Sequence, residues 1–140
     1  MEKALEEVCR SFGVISLYVF GSRGREIADR ISGRGTRREL QGSDLDVAVQ
    51  PGRDQLASPR DRVALAQALE DIFTVSKVDL VILPEVNPFL AADAVRGELL
   101  YCDDEDRQAR EELYYMRRAA DLAPYQQSRL EGILNGELRR

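Results

Sequence analysis

Asp44-Leu45-Asp46-Val47-Ala48-Val49 constrains the fold more than any other stretch. Its residues alternate, and in a strand of period two both carboxylates face one side while Leu45, Val47 and Val49 face the other. Two carboxylates aimed the same way repel unless a cation lies between them. Hard divalent ions such as magnesium take oxygen ligands and keep room for water and phosphates.

A second stretch supplies the complement. The apolar run Val14-Ile15-Ser16-Leu17-Tyr18-Val19-Phe20 ends on Gly21-Ser22, 21 residues before Ser43. Its composition predicts a strand buried on both faces and central in its sheet. Gly21 lets the backbone approach a ligand that a Cβ would exclude, and Ser22 offers a hydroxyl and an N–H to phosphate oxygens. A helix starting near Arg23 would add its dipole to the attraction for anions.

Around these two strands the chain reads as α/β (α+β), with a small mixed sheet flanked by helices. Residues 2–12 carry Leu5, Val8, Cys9 and Phe12 at helical spacing, ending near Gly13. Ser58-Pro59-Arg60-Asp61 is a helix start, and Leu65, Leu69, Ile72 and Phe73 make a core-facing crossover helix. Lys77 to Leu83 reads as a further strand, apolar almost throughout. An ionised Asp79 there is costly without a cation or donors, so it is a third candidate metal ligand. The alternative is an edge position facing water. Phe89 to Leu100 reads as a helix running into a last strand at Leu99-Leu100-Tyr101.

Asp103 is expected to cap a long helix that opens on acids and closes on Arg117 and Arg118, with an apolar stripe of Ala109, Leu113, Met116 and Ala120. Pro124 should stop or kink it. A second piece, Tyr125 to Leu138, would present Leu130, Ile133, Leu134 and Leu138 as a partner-docking stripe weakened by Gly132 and Gly136. The division expected is a core over 1–102, interrupted by an insertion over 23–43, with a helical extension over 103–140 packed on the same domain.

Composition excludes several classes. The chain has 140 residues, no histidine and a net charge of -5. Zinc-hydrolase and Ser-His-Asp chemistries are therefore out, and direct stable binding to nucleic acid is not expected. Six arginines (23, 25, 30, 34, 37 and 38) give the insertion a net +3, read as a solvated loop except for Arg23, which can reach the phosphate turn. Cys9 and Cys102 have neither metal nor redox spacing and read as reduced thiols. With no signal peptide or membrane-length apolar run, the expected setting is cytoplasmic, away from any membrane.

Gly21-Ser22, Asp44-x-Asp46 and Asp79, in this order on three strands, resemble the signature of the polymerase-beta-type nucleotidyltransferases. The Gly-Ser-Arg start and the Ser-Asp-Leu-Asp-Val run resemble the minimal MNT-type branch, including MntA-like antitoxins of HEPN/MNT toxin–antitoxin modules. The resemblance covers about residues 14–101. It implies a polymerase-beta-like fold and a catalytic, metal-binding set of Asp44, Asp46 and Asp79. Asp79 can also help deprotonate the acceptor hydroxyl. The nucleotide set it implies is Gly21, Ser22, Arg23 and Ser43. The cofactor would be Mg2+, at two sites, and the substrate ATP. The implied reaction is transfer of AMP to a tyrosine of a HEPN RNase toxin, held as a heteromeric complex and thereby neutralised. The 21 residues between Ser22 and Asp44 exceed the family's usual spacing, so substrate choice does not carry over. Two alternatives stay open: an antitoxin acting by occlusion alone, and a nucleotidyltransferase on a small molecule or RNA. The second normally needs a further substrate-binding domain, for which this chain has no room.

Overall fold

The computed structural model describes residues 1–21 and 40–134, the side chains of 40–43 and 126–134 excepted. Helix α1 spans Glu2–Ser11, strand β1 Val14–Phe20, and strand β2 Leu40–Pro51. Helix α2 (Pro59–Phe73) crosses to strand β3 (Val75–Ile82), and a 3-10 turn at Leu83–Glu85 leads to helix α3 (Pro88–Val95). Strand β4 (Glu98–Cys102) and the 30-residue helix α4 (Glu105–Leu134) follow.

The four strands form one mixed sheet in the order β3-β2-β1-β4. β1 is antiparallel to β2 and β4, and β2 is parallel to β3. Local chemistry sets the boundaries. Gly13 takes φ 69° after α1, a conformation costly for other residues. Ser58 caps α2 by accepting a 3.1 Å bond from the Asp61 N–H, with Pro59 in the first turn. Asn87 does the same for α3, accepting from the Phe89 and Leu90 N–H groups.

Each face of the sheet carries its own core. Leu17, Val19, Leu45, Val47, Val49 and Val78 pack under α1 and α2 against Leu5, Cys9, Leu65, Leu69 and Phe73. Cys9 is a packing thiol whose pKa burial pushes up to about 12, and both cysteines are free. The other face holds Tyr18, Ala48, Leu83, Ala91, Ala94, Val95 and Tyr115, under α3 and α4.

α4 departs from expectation in three ways. Its cap is Asp104, whose side chain accepts from the Arg107 N–H at 3.0 Å; Asp103 instead binds the Arg107 guanidinium. Of the two outcomes expected at Pro124, a stop or a kink, the stop does not occur, so Arg117 and Arg118 lie mid-helix and the expected second piece begins as its continuation. A proline removes one hydrogen bond, at about 3 kcal/mol, and good helix formers on both sides outweigh that.

Its inward face is also shifted by one residue from the expected stripe. Gln108, Tyr115 and Ala119 are buried, whereas Leu113 is 53% exposed. The first turns of the inward face are polar because β1 offers them hydroxyls, and Tyr115 and Ala119 carry the apolar part. Glu111 accepts from Ser16 Oγ at 2.6 and 2.8 Å, from Tyr18 Oη at 2.6 Å and from Arg107 at 2.8 Å. Gln108 donates to Tyr18 Oη at 3.0 Å. Residues 135–140, including Leu138, lie outside the described part, as do the side chains of Leu130, Ile133 and Leu134. Among the described residues no helix is long and apolar enough to cross a membrane.

Candidate active site

The site lies where β1 ends beside β2 and β3. Leu45, Val47 and Val49 are buried in the α1/α2 core, which directs Asp44 and Asp46 to the opposite face, as the alternation dictates. Asp46 lies across from Phe20 on one side and Asp79 on the other. Adjacent strands are about 4.8 Å apart, so Asp46 and Asp79 stand side by side on one face, with Asp44 two residues back along β2. Asp44 is exposed and Asp46 half-buried.

Burial raises the pKa of the Asp46 carboxyl, and the charges of Asp79 and then Asp44 add to the shift. Gly21 closes the corner with φ 78°. A Cβ on it would lie 2.9 Å from Asp46 Oδ2, tighter than a carbon and an oxygen tolerate. The glycine therefore lets the turn come down onto the carboxylate.

Two features differ from expectation. β3 is an edge strand among the described elements, and the Asp79 side chain is 41% exposed, so Asp79 is not an ion buried in an apolar strand. Its charge is met by a lysine that the sequence reading left out of the site: Lys77 Nζ lies 3.3 Å from Asp79 Oδ1. Hydrogen bonding to Asp79 and the charges of Asp79 and Asp44 raise the Lys77 pKa. Period two could have found it, since Lys77 precedes Asp79 by two residues.

Ser22 and Arg23 lie outside the described residues, as does the rest of the arginine-rich segment to residue 39. Ser43 has its backbone in β2 just before Asp44, but its side chain is not described.

The donor set suits a hard divalent cation. It is all oxygen, it lies on two adjacent strands, and it carries a charge repulsion that a cation would relieve. As they stand, no three acidic or thiol groups among the described residues are close enough together to hold an ion.

The family model for polymerase beta, nucleotidyltransferase, matches residues 3–106. The chain belongs to this nucleotidyltransferase family. A search of curated proteins returned no match. Among solved structures, this nucleotidyltransferase is similar to a mutant of the toxin–antitoxin MntA–HpeT. The TM-score is 0.69 and the identity 20%, over 96% of this chain and 98% of that one. A toxin–antitoxin structure with AMP-PNP gives 0.66 and 20%, over 95% and 98%. A tri-AMPylated Shewanella oneidensis HEPN toxin in complex with MNT antitoxin gives 0.66 and 20%, over 95% of each chain. At such identities the likeness is one of fold, over nearly the whole chain.

Proposed function

We propose that this nucleotidyltransferase is an MNT-type antitoxin that transfers AMP from ATP to a tyrosine of a HEPN-type toxin, silencing it. The observation that carries the reading is Asp46, flanked by Asp44 and Asp79 and overlain by the Gly21 turn. A close-approach glycine on Asp46, with Asp44 and Asp79 on the same face of the two adjacent strands, suits a metal-bound triphosphate. Its fold neighbours include one structure with AMP-PNP and one with an AMPylated HEPN toxin.

Asp44, Asp46 and Asp79 would hold magnesium, which when bound supplies charge neutralisation at the triphosphate and the leaving pyrophosphate. Gly21, with Ser22, Arg23 and Ser43, would seat the phosphates. The tyrosine oxygen attacks the α-phosphorus, and the bond from that phosphorus to the bridging oxygen breaks. Pyrophosphate leaves, and the phenolic proton passes to Asp79 or to solvent. The half-exposed position of Asp79 on an edge strand leaves room for an incoming acceptor. A cytoplasmic setting accords with ATP as substrate and two free thiols.

Occlusion without chemistry is the second reading, favoured by one observation. Leu113, Tyr114, Leu122 and Tyr125 are exposed along α4, apolar side chains on which a partner could seat. Mass spectrometry of the co-expressed pair separates the two. AMP on a partner tyrosine is the expected result; a tight complex with unmodified tyrosines would establish occlusion in its place.

The turn gives an independent check. Gly21→Ala must hold φ 78° with a Cβ pressed on Asp46, at about 1–2 kcal/mol. The free turn relieves that strain by moving off the carboxylate and ATP must restore it, so affinity by calorimetry should fall by up to roughly tenfold, since 1.4 kcal/mol is a factor of ten. An unchanged affinity would detach the turn from nucleotide binding.

A further inference from the structure

We infer that Lys77 is a built-in counter-ion of the carboxylate cluster: it pairs with Asp79 and competes with a divalent cation for that carboxylate. The inference rests on the reading that these carboxylates hold a metal, and it adds a residue acting through Asp79, a positioning residue rather than a catalytic one.

Three observations converge on Lys77. It stands across from Asp44 in the β2–β3 register, while Asp79 stands across from Asp46, so period two gives the site a lysine and three aspartates on one face. Its Nζ lies 3.3 Å from Asp79 Oδ1, so one of the two carboxylate oxygens already has a cationic partner. And Asp79, although beside Asp46, does not close with Asp44 and Asp46 into a set ready for an ion. A cation entering among the three aspartates would compete for Asp79 with an ammonium already bound to it and would be repelled by that charge.

The exchange is cheap enough to be reversible. The Lys77 side chain is 63% exposed, and an exposed ion pair of this kind is worth little once solvent and salt screen it. The flexible stem allows the ammonium to withdraw into water when the metal arrives. A lysine in this position therefore tunes metal affinity without blocking the site.

The test is a titration of the full-length protein with Mn2+, followed by loss of the free-ion electron paramagnetic resonance signal. The proteins compared are wild type, Lys77→Gln, Lys77→Arg and Asp46→Asn. Lys77→Gln should bind Mn2+ about threefold to tenfold more tightly at low salt, with the gain shrinking as salt rises. Lys77→Arg keeps the charge and should match wild type. Melting in chelator gives a second readout: Lys77→Gln should melt below wild type there, and the gap should close in saturating Mn2+. A purely structural lysine would give the same gap in both.

If wild type binds Mn2+, Asp46→Asn does not, and Lys77→Gln binds with wild-type affinity, the role of Lys77 is overturned and the metal site stands. If no binding depends on Asp46, the metal reading itself fails, and the inference with it.

Discussion

Asp46→Asn should abolish transfer and make the metal-free protein more stable. The loss should be on the order of 10³-fold, the scale seen when one preorganised electrostatic group is removed from a site. The folded state holds Asp46 against its own charge, since burial, then Asp79, then Asp44 raise its pKa. A carboxyl raised on folding binds its proton more readily in the native state than in the unfolded chain. Stability therefore falls as pH climbs from the unfolded value, near 4, through the raised native value, and the deficit persists at neutral pH. Asparagine removes it. Because Asp46 is only half-buried and solvent screens the repulsion, the gain in chelator at pH 7 should be small, about 1–3 °C in melting temperature. It should vanish below about pH 4, where the wild-type carboxyl is protonated too. Radiolabelled ATP follows the activity and calorimetry the melting. A variant that loses activity and melts earlier would place Asp46 in the scaffold; one that keeps activity would remove it from the chemistry.

What the sequence made legible follows the range of the interactions involved. β1 matches its expected span because an apolar run broken only by Ser16 lies between two glycines. The α2 start was readable in Ser58-Pro59 because capping reaches only three residues. The alternation over Asp44–Val49 put three side chains into one core and two onto the site face, again a matter of adjacent residues. Asp79 was harder. The apolar run around it suggested burial, but burial depends on strand order, and β3 lies at an edge. That position was the alternative reading, and it holds together with the proximity to Asp46. The α4 stripe was misplaced for a related reason. Helical periodicity counts apolar residues, whereas this helix docks through Gln108 and Glu111 onto Ser16 and Tyr18. No scan of one segment reveals that two polar faces match. Ser22 and Arg23 lie outside the described residues, so their roles rest on the sequence alone.

That polar docking should make Glu111→Ala one of the most destabilising substitutions outside the apolar cores. The Glu111 side chain is 7% exposed in its pair with Arg107, and Ser16 and Tyr18 are fully buried. Removing the carboxylate strands two buried hydroxyls and leaves the guanidinium with Asp103 and the Ile15 carbonyl. Unpaired buried polar groups cost about 1–3 kcal/mol each, and a broken buried ion pair about 3–5 kcal/mol. Arg107 keeps partners and some water, and Gln108 still donates to Tyr18, so the net loss should be about 2–4 kcal/mol, a large share of the roughly 5–15 kcal/mol that stabilises a domain. Urea denaturation measures it. Glu111→Gln, which keeps an acceptor, should recover part of the loss, while Tyr18→Phe alone should cost nearer 1 kcal/mol. A Glu111→Ala loss below about 0.5 kcal/mol, the range of ordinary surface substitutions, would mean that α4 is held by Tyr115 and its apolar contacts instead. Because β1 leads from Ser16 and Tyr18 directly to Gly21, the same variant should also loosen that turn, and if the turn seats ATP as proposed, ATP affinity should fall even well below its melting temperature.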